Sequence, residues 1–168
     1  MIETSDLDID SIARDEAEKH GVVGNAEEVA RLTLASLRSP LLQNAASLKP
    51  KDIWIETPVA VPISVTDGSS KTIEGRVDLI YRKPEGTLGI ADFKTDRTFN
   101  RSIAEMAEPY EPQLGAYAYA VQKATGIEVT EASILFSRLA ADKLGDGEYR
   151  LPNVQSAIEL ALKLASNR

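Results

Sequence analysis

Between residues 53 and 65 the chain alternates: Ile53, Ile55 and Thr57, then Val59, Val61, Ile63 and Val65, each separated by one other side chain. Period two with β-branched residues predicts a strand or a bent pair of strands. Pro58 and Pro62 place it at a sheet edge or a bulge, because proline cannot donate to a ladder. A turn at Asp67-Gly68-Ser69-Ser70 leads to a second strand over 72–82. Pro84-Glu85-Gly86 then makes a hairpin turn into a third strand over 87–94.

Elsewhere the period is helical. Residues 1–20 predict a weak helix, capped by Asp10 or Ser11 and ending near His20-Gly21. Asn25 reads as the next N-cap, with Glu28 completing a capping box, and Val29, Leu32, Leu34 and Leu37 form its apolar stripe. Ser39-Pro40 ends that helix, and a short helical turn runs on to residue 46. Residues 105–125 are mainly helical, with Pro109 and Pro112 near the start of the second part. Leu114, Tyr117, Ala118 and Val121 share a face there, and Gly126 is a natural C-cap. A fourth strand over 129–137 contains the apolar run Ile134-Leu135-Phe136, which suits a buried position. Residues 144–148 read as a loop. Asn153 caps a last helix to residue 166, with Val154, Ile158, Leu162 and Leu164 inward. The order is helix, three strands, helix, strand, helix, with no repeat and no linker, so the expectation is one α/β domain over residues 1–168: a mixed central sheet flanked by helices.

Composition changes this picture little. The 168 residues, 43 % hydrophobic and 27 % charged, suit a chain with a real core. No apolar run is long enough to span a membrane, and the acidic start MIETSDLDID lacks the features of a signal peptide, so the expected location is cytoplasmic. The absence of cysteine excludes disulfides, thiolate zinc sites and cysteine nucleophiles. The net charge of −7 argues against a free-standing nucleic-acid binder, unless the acids cluster away from the nucleic acid or a larger protein supplies the basic track; the second is the reading favoured here.

Chemistry concentrates on the central hairpin. Its strands carry Gly75-Arg76-Val77-Asp78 and Ile90-Ala91-Asp92-Phe93-Lys94-Thr95 and should lie antiparallel. Asp92 and Lys94, two apart, share one face of an otherwise apolar strand. A carboxylate and an ammonium buried in a sheet are costly unless paired or metal-bound. Such a cluster suits phosphodiester hydrolysis. Carboxylates can hold Mg²⁺, the metal acidifies a bound water, and a lysine orients or deprotonates that water or binds the scissile phosphate. Desolvation is expected to lower that lysine's pKa.

Asp78 followed by Asp92-Phe93-Lys94 resembles the D…(D/E)xK motif of the restriction-endonuclease-like, PD-(D/E)xK superfamily. The likeness is closer to one branch, the RecB-type nuclease domain at the C-terminus of RecB and AddA helicase-nucleases. That branch has a G-x-x-D strand, a D-[YF]-K-[TS] strand and a Q-x-x-x-Y helix. They match Gly75 to Asp78, Asp92 to Thr95, and Gln113 to Tyr117, in that order. The predicted elements also agree with the superfamily's αβββαβ core. The resemblance implies that Asp78, Asp92 and the backbone carbonyl of Phe93 bind Mg²⁺ or Mn²⁺, with Glu56 as a less certain ligand. It implies that Lys94 is the catalytic lysine and that Gln113, Tyr117 and Thr95 contact substrate or brace the site. The implied partners are DNA, a helicase portion of the same chain and a partner helicase-nuclease subunit. The implied role is exonuclease action in double-strand break processing.

One departure stands out. The family's metal-binding histidine sits in a G-x-x-x-H segment, whereas His20 lies in Glu18-Lys19-His20-Gly21, which does not match. The chain therefore reads as the C-terminal part of a larger protein. Plainer roles compete for each residue: solvated charges for Asp78 and Asp92, an ion pair for Lys94, helix packing for Gln113 and Tyr117, a surface acid for Glu56 and a helix end for His20. Asp96 and Arg97 either pair with each other or contact a DNA backbone. At the level of the whole chain, the rivals are an inactive nuclease-like module and an unrelated α/β interaction domain.

Overall fold

A computed structural model of the chain describes residues 8–65, 68–97, 101–142 and 146–166. Its centre is a five-stranded mixed sheet in the order β1-β2-β3-β4-β5, formed by Ile53–Ser64, Ser70–Arg82, Leu88–Lys94, Val129–Phe136 and Glu148–Arg150. Only β3 and β4 run parallel; the other neighbours are antiparallel. Parallel pairing needs a crossover, and α4 (Ile103–Ala107) and α5 (Glu111–Thr125) provide it. Gly126, at φ +69, ends α5 in the left-handed region, where glycine carries no Cβ penalty.

Each face of the sheet has its own cover. On one, α5 and α7 (Val154–Ser166) pack over Ile80, Ile90, Ile134 and Phe136. On the other, α3 (Pro40–Ala46) brings Leu41 and Ala45 onto Leu79, Tyr81, Ala91 and Leu135. Both faces of β3 and β4 are thus apolar and buried, which explains why these strands read as continuous runs. The helices α1 (Ile9–Lys19) and α2 (Ala26–Leu37) form a smaller cluster around Ile9, Ala13 and Ala30. Polar contacts tie α2 to α6 (Ser137–Ala141): Ser36 and Ser137 hydroxyls meet at 2.8 Å, Arg31 pairs with Asp142 at 2.7 Å, and Arg138 pairs with Glu28.

The long β1–β2 hairpin holds an inversion that period two does not reveal. Ile53 packs with Leu79 on the α3 face, yet Val59 and Val77 pack under α5, although all four positions are odd-numbered. The switch falls at Glu56, whose φ of +50 is rare for a residue with a side chain, and at Asp78 opposite it. Regular pairing stops at Ile55–Leu79, resumes at Thr57–Val77, and keeps the same register across the gap. No residue is inserted, so Pro58 and Pro62 sit on a true edge strand and not beside a bulge.

Several expectations need correction. Asp8, and neither Asp10 nor Ser11, caps α1 by accepting from Ser11 N–H at 3.0 Å. Asn25 makes no side-chain cap, because a 3-10 turn over Val23–Asn25 already leads into α2. The predicted capping box does not form there, and Glu28 turns to Arg31 and Arg138 instead. One does form at α4, where Ser102 and Glu105 satisfy each other's backbone N–H groups. Strand β4 stops at Phe136, and α6 follows at once. Strand β5, too short for a periodic signal, begins at Glu148 in the segment expected to be loop; residues 144–145 of that segment lie outside those described, as do residues 1–7 of the first predicted helix and Asp67 of the first turn. Val154 and Ile158 are buried as expected, together with Ala157 and Ala161, whereas Leu164 is exposed and not inward.

Candidate active site

The site forms where β2 and β3 part. Their ladder runs from Arg82–Leu88 to Leu79–Ala91 and stops. Past that point a side chain takes over the pairing: Phe93 N–H donates to Asp78 Oδ2 at 2.7 Å. Next to it, Asp92 is 4 % exposed, held between the α5-side core and the paired strand β4. Lys94 Nζ lies 2.5 Å from Asp92 Oδ2, so two positions of one strand face meet as an ion pair. The ammonium approaches outside hydrogen-bonding angles, and Oδ2 accepts no well-directed hydrogen bond.

The electrostatics follow from depth. Burial is the largest effect on Asp92 and raises its pKa, and the neighbouring Asp78 charge adds to it; Lys94 pulls the other way but does not win. For Lys94, burial alone pushes the pKa down. The Asp92 carboxylate, as partner and as charge, more than offsets this with help from Asp78, and the net shift is upward. The expected lowered pKa is therefore corrected: beside this carboxylate the lysine is held as an ammonium.

The other predicted residues are placed less uniformly. Glu56 is exposed, with Arg76 at 3.7 Å, and among the described residues no three acidic or histidine side chains gather as a metal site. Tyr117 is a core aromatic. It lies across Gly75 so closely that a Cβ there would sit 2.6 Å from its ring. Gln113 donates to the Tyr117 hydroxyl at 2.9 Å, so these two partner each other one turn apart. Thr95 is exposed past the end of β3, and its carbonyl accepts from Arg138. His20 ends α1 on the surface, 3.8 Å from Glu16. Asp96 does not pair with Arg97 and accepts from the Tyr110 hydroxyl at 2.9 Å. Tyr110 itself, which no motif singled out, sets its ring 4.7 Å from Lys94 Nζ. Its spacing of three before Gln113, at the start of the same helix, was the available signal.

The family model of the PD-(D/E)XK nuclease superfamily matches residues 5–165. The chain belongs to the PD-(D/E)XK nuclease superfamily. Its mixed five-stranded sheet with flanking helices is the superfamily's α/β architecture. Among curated proteins, an ATP-dependent helicase/nuclease subunit of Alkaliphilus oremlandii (strain OhILAs) is 33 % identical over 92 residues. That stretch is 49 % of this chain and 8 % of the relative, so the chain spans a small part of that protein's length. The crystal structure of SSO0001 aligns with 92 % of this chain and 70 % of its own, at 17 % identity and a TM-score of 0.44.

For a PD-(D/E)XK nuclease the donor set suits a divalent cation. Asp92 Oδ2 is a buried carboxylate oxygen without a directed donor, and the Asp78 carboxylate is near enough to perturb both Asp92 and Lys94. Hard cations such as Mg²⁺ favour such oxygens and keep several waters. On the α3 side, Asp78 and Phe93 also border an apolar hollow of about 270 Å³, lined further by Leu37, Leu42, Ile53 and Ile55.

Proposed function

We propose that this chain is a divalent-metal-dependent deoxyribonuclease domain working as an exonuclease within a larger helicase-nuclease that processes double-strand breaks. The observation that carries the reading is the buried, undirected Oδ2 of Asp92 with Lys94 beside it, in a chain of this superfamily. The Lys94 ion pair offsets only part of the cost of burying that carboxylate, whose pKa stays raised, and a metal is the partner that would repay the rest. Asp78, Asp92 and the Phe93 carbonyl would hold Mg²⁺ or Mn²⁺. A metal bound there supplies an acidic water and charge stabilisation at the phosphate. Lys94, held as an ammonium beside Asp92, suits phosphate binding and water orientation better than proton abstraction. Gln113 would brace the site through Tyr117.

The helicase context and the partner subunit are supported by the likeness to the Alkaliphilus oremlandii protein, named an ATP-dependent helicase/nuclease subunit; the role in break processing rests on the RecB- and AddA-type motifs at Asp78, Asp92 to Thr95, and Gln113 to Tyr117. The charge of −7 supports that context, because such a domain would rely on its neighbours for the basic track.

A second reading, a nuclease-like module that binds DNA or a partner without cutting, is favoured by one observation: among the described residues no third acidic or histidine side chain joins the two aspartates. One assay separates the two. Linear single- and double-stranded DNA are incubated with the chain and Mg²⁺ or Mn²⁺, beside Lys94→Ala. Metal-dependent cleavage that disappears in the variant is expected. Equal cleavage by both proteins overturns the site, and no cleavage by wild type, even with the helicase portion restored, favours the binding module.

A further inference from the structure

The tyrosine at the start of α5 has a place in the chemistry that the motifs do not assign. Tyr110 crosses the end of β3 so that Lys94 Nζ lies 4.7 Å from its ring centroid. The ring is held from two sides. It tilts against Phe136 with centroids 6.4 Å apart, and its hydroxyl donates to Asp96 Oδ1 at 2.9 Å. Asp96 follows Lys94 by two residues, so the segment that presents the ammonium also anchors the ring beside it. Lys94 is 20 % exposed in its side chain and has lost most of its water. Asp92 Oδ2 takes one side of the ammonium, and the negative face of the ring takes another. A lysine has a flexible four-carbon stem and no planar fork to fix its direction, so its placement depends on what surrounds the head group.

We propose that Tyr110 is a positioning residue for Lys94: its ring keeps the ammonium in the site, and Asp96 keeps the ring in place. The proposal rests on the nuclease reading of Lys94, and its test separates the two. In a chain labelled with ¹³C-lysine, the Lys94 ε-methylene signals, assigned through Lys94→Arg, should be shifted upfield by the ring current. The shift should persist, somewhat reduced, in Tyr110→Phe, which keeps the ring but loses its tie to Asp96, and vanish in Tyr110→Leu. In metal-dependent cleavage of linear DNA, Tyr110→Leu should lose roughly tenfold in kcat, with KM within about twofold of wild type. Tyr110→Phe should recover most of the loss, because it keeps the ring. Melting curves show whether each variant is folded. Should Tyr110→Leu not fold, Asp96→Ala serves instead, with a smaller upfield shift and a smaller kcat loss expected.

Lys94 signals at ordinary positions in the wild-type chain overturn the contact. A folded Tyr110→Leu enzyme with wild-type kcat overturns the positioning role, whatever the spectrum shows. A wild-type chain that shows the shift but cuts no DNA overturns the nuclease reading, and the catalytic part of the proposal falls with it.

Discussion

Gly115 is where the seating of α5 is decided. A Cβ on this residue would lie 2.0 Å from the carbonyl oxygen of Ala157 and 2.3 Å from its carbon, both backbone atoms of α7. Ordinary contact begins at 3.4 Å. Neither atom can rotate away, so α7 would have to retreat by about 1.4 Å, the difference between the two distances, in an interior with few voids. In a free helix, Gly→Ala stabilises by roughly 1 kcal/mol. Here that gain opposes an overpacking penalty of about 1–3 kcal/mol, and a clash with main chain belongs at or above the top of that range. The net expectation for Gly115→Ala is a loss of about 2 kcal/mol, or a fall in Tm of about 4–8 °C at this chain length. Thermal unfolding followed by circular dichroism measures it. Gly24→Ala is the control: nothing lies within 4 Å of its Cβ and its φ is ordinary, so its change should stay within about 0.5 kcal/mol. A Gly115→Ala chain that melts at or above the wild-type temperature would refute the close α5–α7 contact. Because α5 carries Gln113 and Tyr117 and follows Tyr110, the same variant should also reduce cleavage.

Asp92→Asn should keep the fold, with a Tm change under about 4 °C, since the lost ion pair is offset by relief of a buried charge, while cleavage disappears; a collapse of the near-ultraviolet spectrum would contradict this. Arg31 and Arg138 hold the Glu28 carboxyl down at about 2, against an ordinary 4.5. Its contribution to stability is therefore full above pH 4.5 and is lost as pH falls through about 2, so Glu28→Gln should destabilise by a constant amount at neutral pH, and its Tm should converge on wild type in acid. Asn153→Ala removes the acceptor for Ser156 N–H, 2.9 Å away, and should cost about 1 kcal/mol, seen as a Tm lower by about 2–4 °C; an unchanged Tm would show that the cap contributes nothing.

What could be read directly was periodic or short-range. The hairpin turn at Pro84-Glu85-Gly86, the stop at Gly126 and the cap at Asn153 depend on one or two residues' backbone preferences, and these appear in the sequence as residue type. The meeting of Asp92 with Lys94 was equally legible, because side chains two apart on a strand must share a face. The boundaries of β4 and the existence of α6 and β5 were not, because three to five residues carry too little periodicity to register.

The sequence by itself determined the longer helices and strands, and that two acids and a lysine interrupt buried strands. It did not determine which way those groups face or what state they hold. Alternation along β1 continues unbroken through Glu56, yet the covered face changes there, because one left-handed residue reverses a strand without disturbing its period. The upward shift of the Lys94 pKa, against the downward one that burial alone would give, depends on a carboxylate 2.5 Å away in space. The closeness of Tyr110 to Lys94 depends on α5 returning over the sheet. Faces, distances and charge states are set by packing between elements, and only the assembled fold supplies that.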